Sequence, residues 1–195
     1  MNRLIKYILG GIFISFFLHS CVYHYMTHMN EEELEWITNR QEGELMYFKS
    51  TNGDFDTLYI KEIWIHNALD PINWGYFNTS SNDYIAQAQI RYYVKKRNDG
   101  GILEIVKLDR NGPISFSSIL FDGWLYDVPL DLSRLQVNGI FLNDIMLFDY
   151  RNNKSINPNE TNPIVSSAWS KKYGLVQYAI QDGTVFTRID IRDLE

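Results

Sequence analysis

The chain has 195 residues, 18 basic and 24 acidic side chains, a formal charge of −6 and a single cysteine. A net acidic chain argues against nucleic acid or anionic headgroups as electrostatic partners. The only compact basic run, Lys95-Lys96-Arg97, reads as a solvated strand end. One cysteine excludes an intrachain disulfide.

Arg3 and Lys6 are the only charged side chains before Glu31. From Tyr7 to Leu18 the chain is uncharged and mostly large and apolar, interrupted by Gly10, Gly11 and Ser15. A basic start, an apolar run of this length and then small residues is the layout of a secretory signal peptide. Apolar density falls after Leu18, short of the roughly 20 residues a spanning helix needs. Leu18-His19-Ser20-Cys21 resembles the bacterial lipobox. The resemblance implies cleavage between Ser20 and Cys21, a diacylglyceryl group on the Cys21 thiol, and Cys21 as the new N-terminus. Acyl chains contribute about 0.8 kcal/mol per buried methylene, so membrane retention is expected through this anchor. Removal of residues 1–20, which carry two cations and no acid, leaves 175 residues with a charge near −8. That length suits one well-buried core.

Residues 21–30 read as a lipidated tether. In "NEEELEWI", Asn30 can cap a helix and Glu33 completes a variant of the capping box. Glu31, Glu32 and Glu33 in the first turn favour the helix dipole. A short helix is expected over about 31–40, with Leu34 and Ile37 on one face, and a linker to residue 43.

Residues 44–195 read as one β domain with period-two patterning. Asn-Gly or Asp-Gly pairs recur at Asn52-Gly53, Asp99-Gly100, Asn111-Gly112, Asp122-Gly123, Asn138-Gly139 and Asp182-Gly183. Such pairs accept the positive φ of tight hairpin turns. Two-residue turns set Tyr47 against Leu58 and Lys49 against Asp56, Val94 against Ile105, and Tyr178 against Thr187 with Ile180 against Val185. Pro113 cannot donate to a ladder, so the turn at Asn111-Gly112 is wider. Ala86, Ala88, Ile90, Tyr92 and Val94 share one side of a strand. Residues 66–84 and 151–169 are long polar connections. Local connections and 15% aromatic residues predict a mainly β fold: an antiparallel meander forming a strongly curved sheet or partial barrel. A two-sheet sandwich is the alternative.

Little in the chain points to chemistry. His24 and His28 have i, i+4 spacing but no third ligand nearby, so no metal is expected. His66 is the only other histidine after Cys21, which leaves a Ser–His–Asp site poorly supported. Ser115, Ser117 and Ser118 read as strand and turn residues. Asp122, Asp127, Asp144 and Asp149 lie near expected strand ends, where paired acids of a glycosidase or ordinary turn residues both occur. "NGDFD" at 52–56 lacks the ligands of a calcium loop. No glycine loop suits a phosphate, so no cofactor is expected. Five tryptophans and thirteen tyrosines raise sugar stacking, with Trp74 and Tyr76 in a long connection and Trp169 at the end of another as the residues to watch. Core packing is the plainer use of such rings.

The closing segment "WSKKYGLVQYAIQDGTVFTRI", Trp169 to Ile189, resembles the C-terminal end of small uncharacterised lipoproteins of Bacteroidetes-type bacteria. Phe186 stands where tryptophan is usual in that group. The resemblance implies location and class but no catalytic residue. Surface export in those bacteria goes with acidic residues directly after the lipidated cysteine, and Val22-Tyr23-His24-Tyr25 has none. The periplasmic side of the outer membrane is therefore expected. The leading expectation is a non-enzymatic envelope lipoprotein that binds a protein or glycan partner. A carrier of a hydrophobic ligand comes next, and a glycan-acting hydrolase third.

Overall fold

A computed structural model describes residues 27–67, 85–96, 99–121, 123–151 and 163–191. Helix α1 spans Glu31–Thr38. The Asn30 side chain accepts from the Glu33 amide at 2.8 Å, and the Glu33 carboxylate accepts from the Asn30 amide at 3.0 Å. This is the expected capping box, and it fixes the first turn. Ile37 is buried as expected, with Leu34 packed alongside. Trp36 is buried too, its ring 5.0 Å from that of Phe116. Fold begins earlier than expected. Thr27 and Met29, assigned to the tether by the sequence, are both buried. The Thr27 hydroxyl accepts from the Ala86 amide at 2.8 Å, and the Asn67 side chain bonds both backbone groups of Met29.

Among the described residues eleven strands follow: β1 Leu45–Ser50, β2 Phe55–His66, β3 Ala86–Val94, β4 Asp99–Lys107, β5 Ser115–Leu120, β6 Gly123–Pro129, β7 Leu132–Val137, β8 Ile140–Asp149, β9 Ile164–Ser170, β10 Gly174–Ile180 and β11 Val185–Arg188. They form one sheet in the order β6-β5-β4-β3-β2-β1-β11-β10-β9-β8-β7, which curls into a half-barrel. A curved antiparallel meander was expected, and one sheet replaces the sandwich alternative. Every pairing is antiparallel. Pairing of β1 with β11 puts consecutive strands β6 and β7 at opposite edges, joined only by Leu130 and Asp131. An even number of reversals separates them, so they run the same way in the unrolled sheet. The chain therefore passes from one edge to the other as a bent strand. Register shifts within β2–β3, β5–β6, β7–β8 and β9–β10 supply curvature.

The hairpins correct the expected registers. Phe48 faces Asp56 and Tyr47 faces Thr57, one residue away from the expected pairing. The loop is Thr51-Asn52-Gly53, closed by the Ser50 amide donating to the Asp54 carbonyl at 2.7 Å, with Gly53 at φ 89°. A three-residue loop with glycine in the left-handed position shifts the partner by one. Gln181-Asp182-Gly183 does the same, so Tyr178 faces Phe186, with the rings stacked at 4.7 Å. Asp99-Gly100 is no turn: Asp99 opposes Val94 inside β4. Asn138-Gly139 is the expected two-residue turn, with φ 51° and 87°. Residues 164–169, expected in a connection, belong to β9.

The concave face is filled. Ala86, Ala88, Ile90, Tyr92 and Val94 all point into the main core, as their alternation predicts. Contacts cross the curl from β5 to β9. The buried Tyr150 hydroxyl bonds Ser118 Oγ at 2.6 Å and Ser167 Oγ at 3.0 Å. Burial pushes its pKa up to about 12, against the pull of the two serines. A Cβ added to Gly123 would sit 2.6 Å from Ile164 and 2.9 Å from Tyr150, which leaves no spare room there. Tyr150→Phe leaves two buried serines short of a partner, and is expected to cost about 1–2 kcal/mol in urea unfolding. A variant as stable as the parent would show that this link across the interior contributes nothing.

A second, smaller cluster holds Val137, Leu142, Ile145, Ala168, Tyr173, Val176 and Ile191. Ile145 and Ala168 alternate with Met146 and Trp169 of the main core, so this cluster lies on the opposite, outer face of the C-terminal strands.

Candidate functional site

A polar cleft of about 490 Å³ opens between the end of α1, the start of β1, the β9–β10 turn and the end of β11. Its charged lining is Arg40, Glu44, Lys172, Arg188 and Asp190. Arg188 is only 1% exposed. Its Nε donates to Asp190 Oδ1 at 2.7 Å and its Nη2 to Oδ2 at 3.0 Å, a bidentate pair, while Nη1 donates to the Tyr173 carbonyl. Glu44 stands 3.8 Å from the same guanidinium and also accepts from Arg40. Arg40 further donates to the Tyr173 and Lys172 carbonyls. Burial lowers the Arg40 pKa; Glu44 opposes that shift and Arg188 adds to it. Both guanidiniums are engaged by carboxylates and carbonyls of the same chain. The cleft therefore works as a clamp that fastens the helix end to the β9–β10 turn. It offers no pair of carboxylates released from a cation for acid–base work.

The acids singled out in the sequence are dispersed. Asp144 Oδ2 accepts from Ser170 Oγ and from the Lys172 amide, both at 2.8 Å, and so caps the β9–β10 turn. Asp149 pairs with Arg151, whose hydrogen bond holds its carboxyl below the usual range. Asp127 sits in β6 with φ 53°, beside a register shift. Among the described residues no group of three His, Cys, Asp or Glu is placed to hold a metal ion.

Cys21, Ser20, His24, Asp122, Trp74 and Tyr76 lie outside the described residues. Trp169 is described, and it is in β9 rather than at a loop's end. It is 2% exposed, with its ring 5.7 Å from Tyr92 and its indole nitrogen without a partner. A ring in that position packs the core and presents nothing to solvent.

Large rings are instead exposed on the outer face. Leu45, Tyr47, Phe55, Tyr59 and Ile189 are all exposed there, and the register makes them neighbours. Leu45 opposes Tyr59, and Tyr59 opposes Tyr93 with ring centroids 5.4 Å apart. The Ile189 amide donates to the Tyr47 carbonyl. Beyond the β2 register shift the same face changes character. Glu62 opposes Arg91, Trp64 opposes Gln89 and His66 opposes Gln87. Trp64 is 40% exposed, and its ring lies parallel to His66 within 9°, at 5.6 Å. One strand further, Glu104 opposes Gln89; burial raises its pKa, against the Ser117 hydrogen bond. The sequence carried a signal for this row. Trp64 and His66 are two apart in a strand, opposite in phase to Ile63 and Ile65, so they must share the other face.

Among the described residues no helix is long and apolar enough to cross a membrane. No known protein family, curated protein or solved structure matches the chain.

Proposed function

We propose that this chain is a non-enzymatic binding module, moored by acylated Cys21 to the periplasmic side of a bacterial outer membrane, with its outer sheet face turned to a partner. One observation carries the binding reading. The concave face is packed with buried side chains, while Leu45, Tyr47, Phe55, Tyr59 and Trp64 stand exposed on the outer face. An apolar surface of that kind favours a partner. A carrier would instead need an unfilled interior. The mooring rests on the lipobox-like Leu18-His19-Ser20-Cys21, and the periplasmic side on the lack of acids in residues 22–25.

Both parts are tested in the full-length chain, with a photo-crosslinking amino acid replacing Tyr59 and, as a comparison, Gln136. The expected result is a discrete product on irradiation from position 59 and none from 136, in a protein that pellets with membranes. Cys21→Ser is expected to block acylation and cleavage, leaving an unacylated precursor that still carries residues 1–20. No product from position 59, or identical products from both positions, contradicts the binding face. Processing and membrane partitioning of Cys21→Ser identical to the parent's contradict the mooring.

A further inference from the structure

We propose that the row formed by Trp64, His66, Gln87 and Gln89, ending at the Glu62–Arg91 pair, binds a neutral oligosaccharide. The proposal rests on the binding-module reading and names its ligand class. Three observations lead to it. First, an exposed tryptophan lies parallel to a second ring. The electron-rich face of an aromatic ring attracts the polarised C–H bonds of a sugar, so a pyranose ring continues the same stack. Second, each of these residues stands opposite a glutamine in the strand register, Trp64 to Gln89 and His66 to Gln87. An amide offers both donors and an acceptor, which matches hydroxyl groups that do both. Third, the Arg91 charge is taken up by Glu62 at 3.4 Å, and the carboxylate next in line is Glu104, opposite Gln89 on β4. With Arg91 engaged and Glu104 set against an anion, the row favours a neutral sugar over an acidic one.

The row differs from the neighbouring surface. Leu45, Tyr47, Phe55 and Tyr59 are exposed and largely apolar, which suits a protein surface. Glutamine amides beside a stacked tryptophan suit a hydroxylated one. From residue 62 to residue 66 the strand extends about 13 Å, so the row is long enough to follow a short chain of sugars rather than to hold one.

The test is calorimetric titration of the full-length protein in a zwitterionic detergent that carries no sugar. Cellotetraose, chitotetraose and maltotetraose are the probes, and tetragalacturonic acid is the charged comparison. At least one neutral tetrasaccharide is expected to bind. Trp64→Ala is expected to weaken that binding by about tenfold, with Gln89→Ala a smaller loss and Tyr126→Ala no change. An unchanged urea midpoint in Trp64→Ala shows that the loss is not unfolding. The proposal fails if no neutral probe binds, if Trp64→Ala binds as well as the parent, or if the charged probe binds best. Crosslinking from position 59 separates the two readings. If it persists while no sugar binds, the outer face has a protein partner and only the glycan assignment falls.

Discussion

Asp190→Ala is expected to destabilise the fold by about 3 kcal/mol, read as a lower urea midpoint at unchanged slope. Arg188 is 1% exposed and holds Asp190 through two charge-assisted hydrogen bonds. Truncating the acid leaves a buried cation whose nearest remaining anion among the described residues is Glu44, at 3.8 Å. Glu44 is shared with Arg40 and cannot fully replace the lost partner. The asymmetry of the pair is part of the expectation. Arg188→Met should cost less, because Asp190 is partly exposed and can be hydrated. The double variant with Asp190→Leu should recover stability relative to Asp190→Ala, since an apolar pair needs no desolvated charge. If Asp190→Ala unfolds within 1 kcal/mol of the parent, the clamp is not a stabilising element, and the cleft must be explained another way.

Gly101→Ala is expected to cost about 3 kcal/mol, at the upper end of overpacking effects. The residue lies in β4, where a Cβ would meet the Tyr92 ring at 2.6 Å and the Ile119 carbonyl oxygen more closely still. Tyr92 cannot step aside easily, because its hydroxyl donates to the Ile119 carbonyl at 3.0 Å. Burial raises its pKa well above the ordinary value, so the hydroxyl stays protonated and remains a donor. Gly53→Ala is the informative comparison. Nothing lies within 4 Å of a Cβ there, but φ is +89°. Its cost is backbone strain alone, about 1 kcal/mol. Equal losses at the two positions would mean that β4 relaxes around the added methyl and that the close approach is not a constraint.

The contrast between these glycines explains why one kind of signal in the sequence was read correctly and another was not. Asn-Gly and Asp-Gly pairs mark positions that tolerate positive φ, and Gly53, Gly139 and Gly183 do adopt it. Whether the loop holds two residues or three is decided by the backbone on either side, and a dipeptide does not encode that. Gly100 and Gly101 follow an aspartate in the same way, yet they lie in β4 because ring and carbonyl atoms occupy the space a side chain would need. The register near the C-terminus was misleading for a different reason. Arg188 is buried and Ile189 is 41% exposed, so polarity and burial are inverted at the strand end. The clamp formed by Asp190, Glu44 and the Tyr173 carbonyl stabilises that inversion.

Period-two alternation was the dependable signal. It placed the whole inner face of β3 correctly. The capping box likewise placed α1 from Asn30 and Glu33 alone. The curl could be anticipated from aromatic content on both faces, but the order of strands could not. Pairing of β1 with β11, and the bent passage from β6 to β7, depend on contacts between residues far apart in sequence. For the candidate site the limit was burial. A tryptophan in a strand reads the same whether it packs inside, as Trp169 does, or stands outside, as Trp64 does. Only the phase of its neighbours separates them.

Native mass spectrometry of the full-length protein asks most directly whether function sits outside a filled half-barrel. The prediction is the mass of the acylated chain, alone or carrying an oligosaccharide, with no other small molecule. A hydrophobic compound bound one-to-one, and kept by the Cys21→Ser chain, would place a ligand against a concave face packed with buried side chains and would contradict the account.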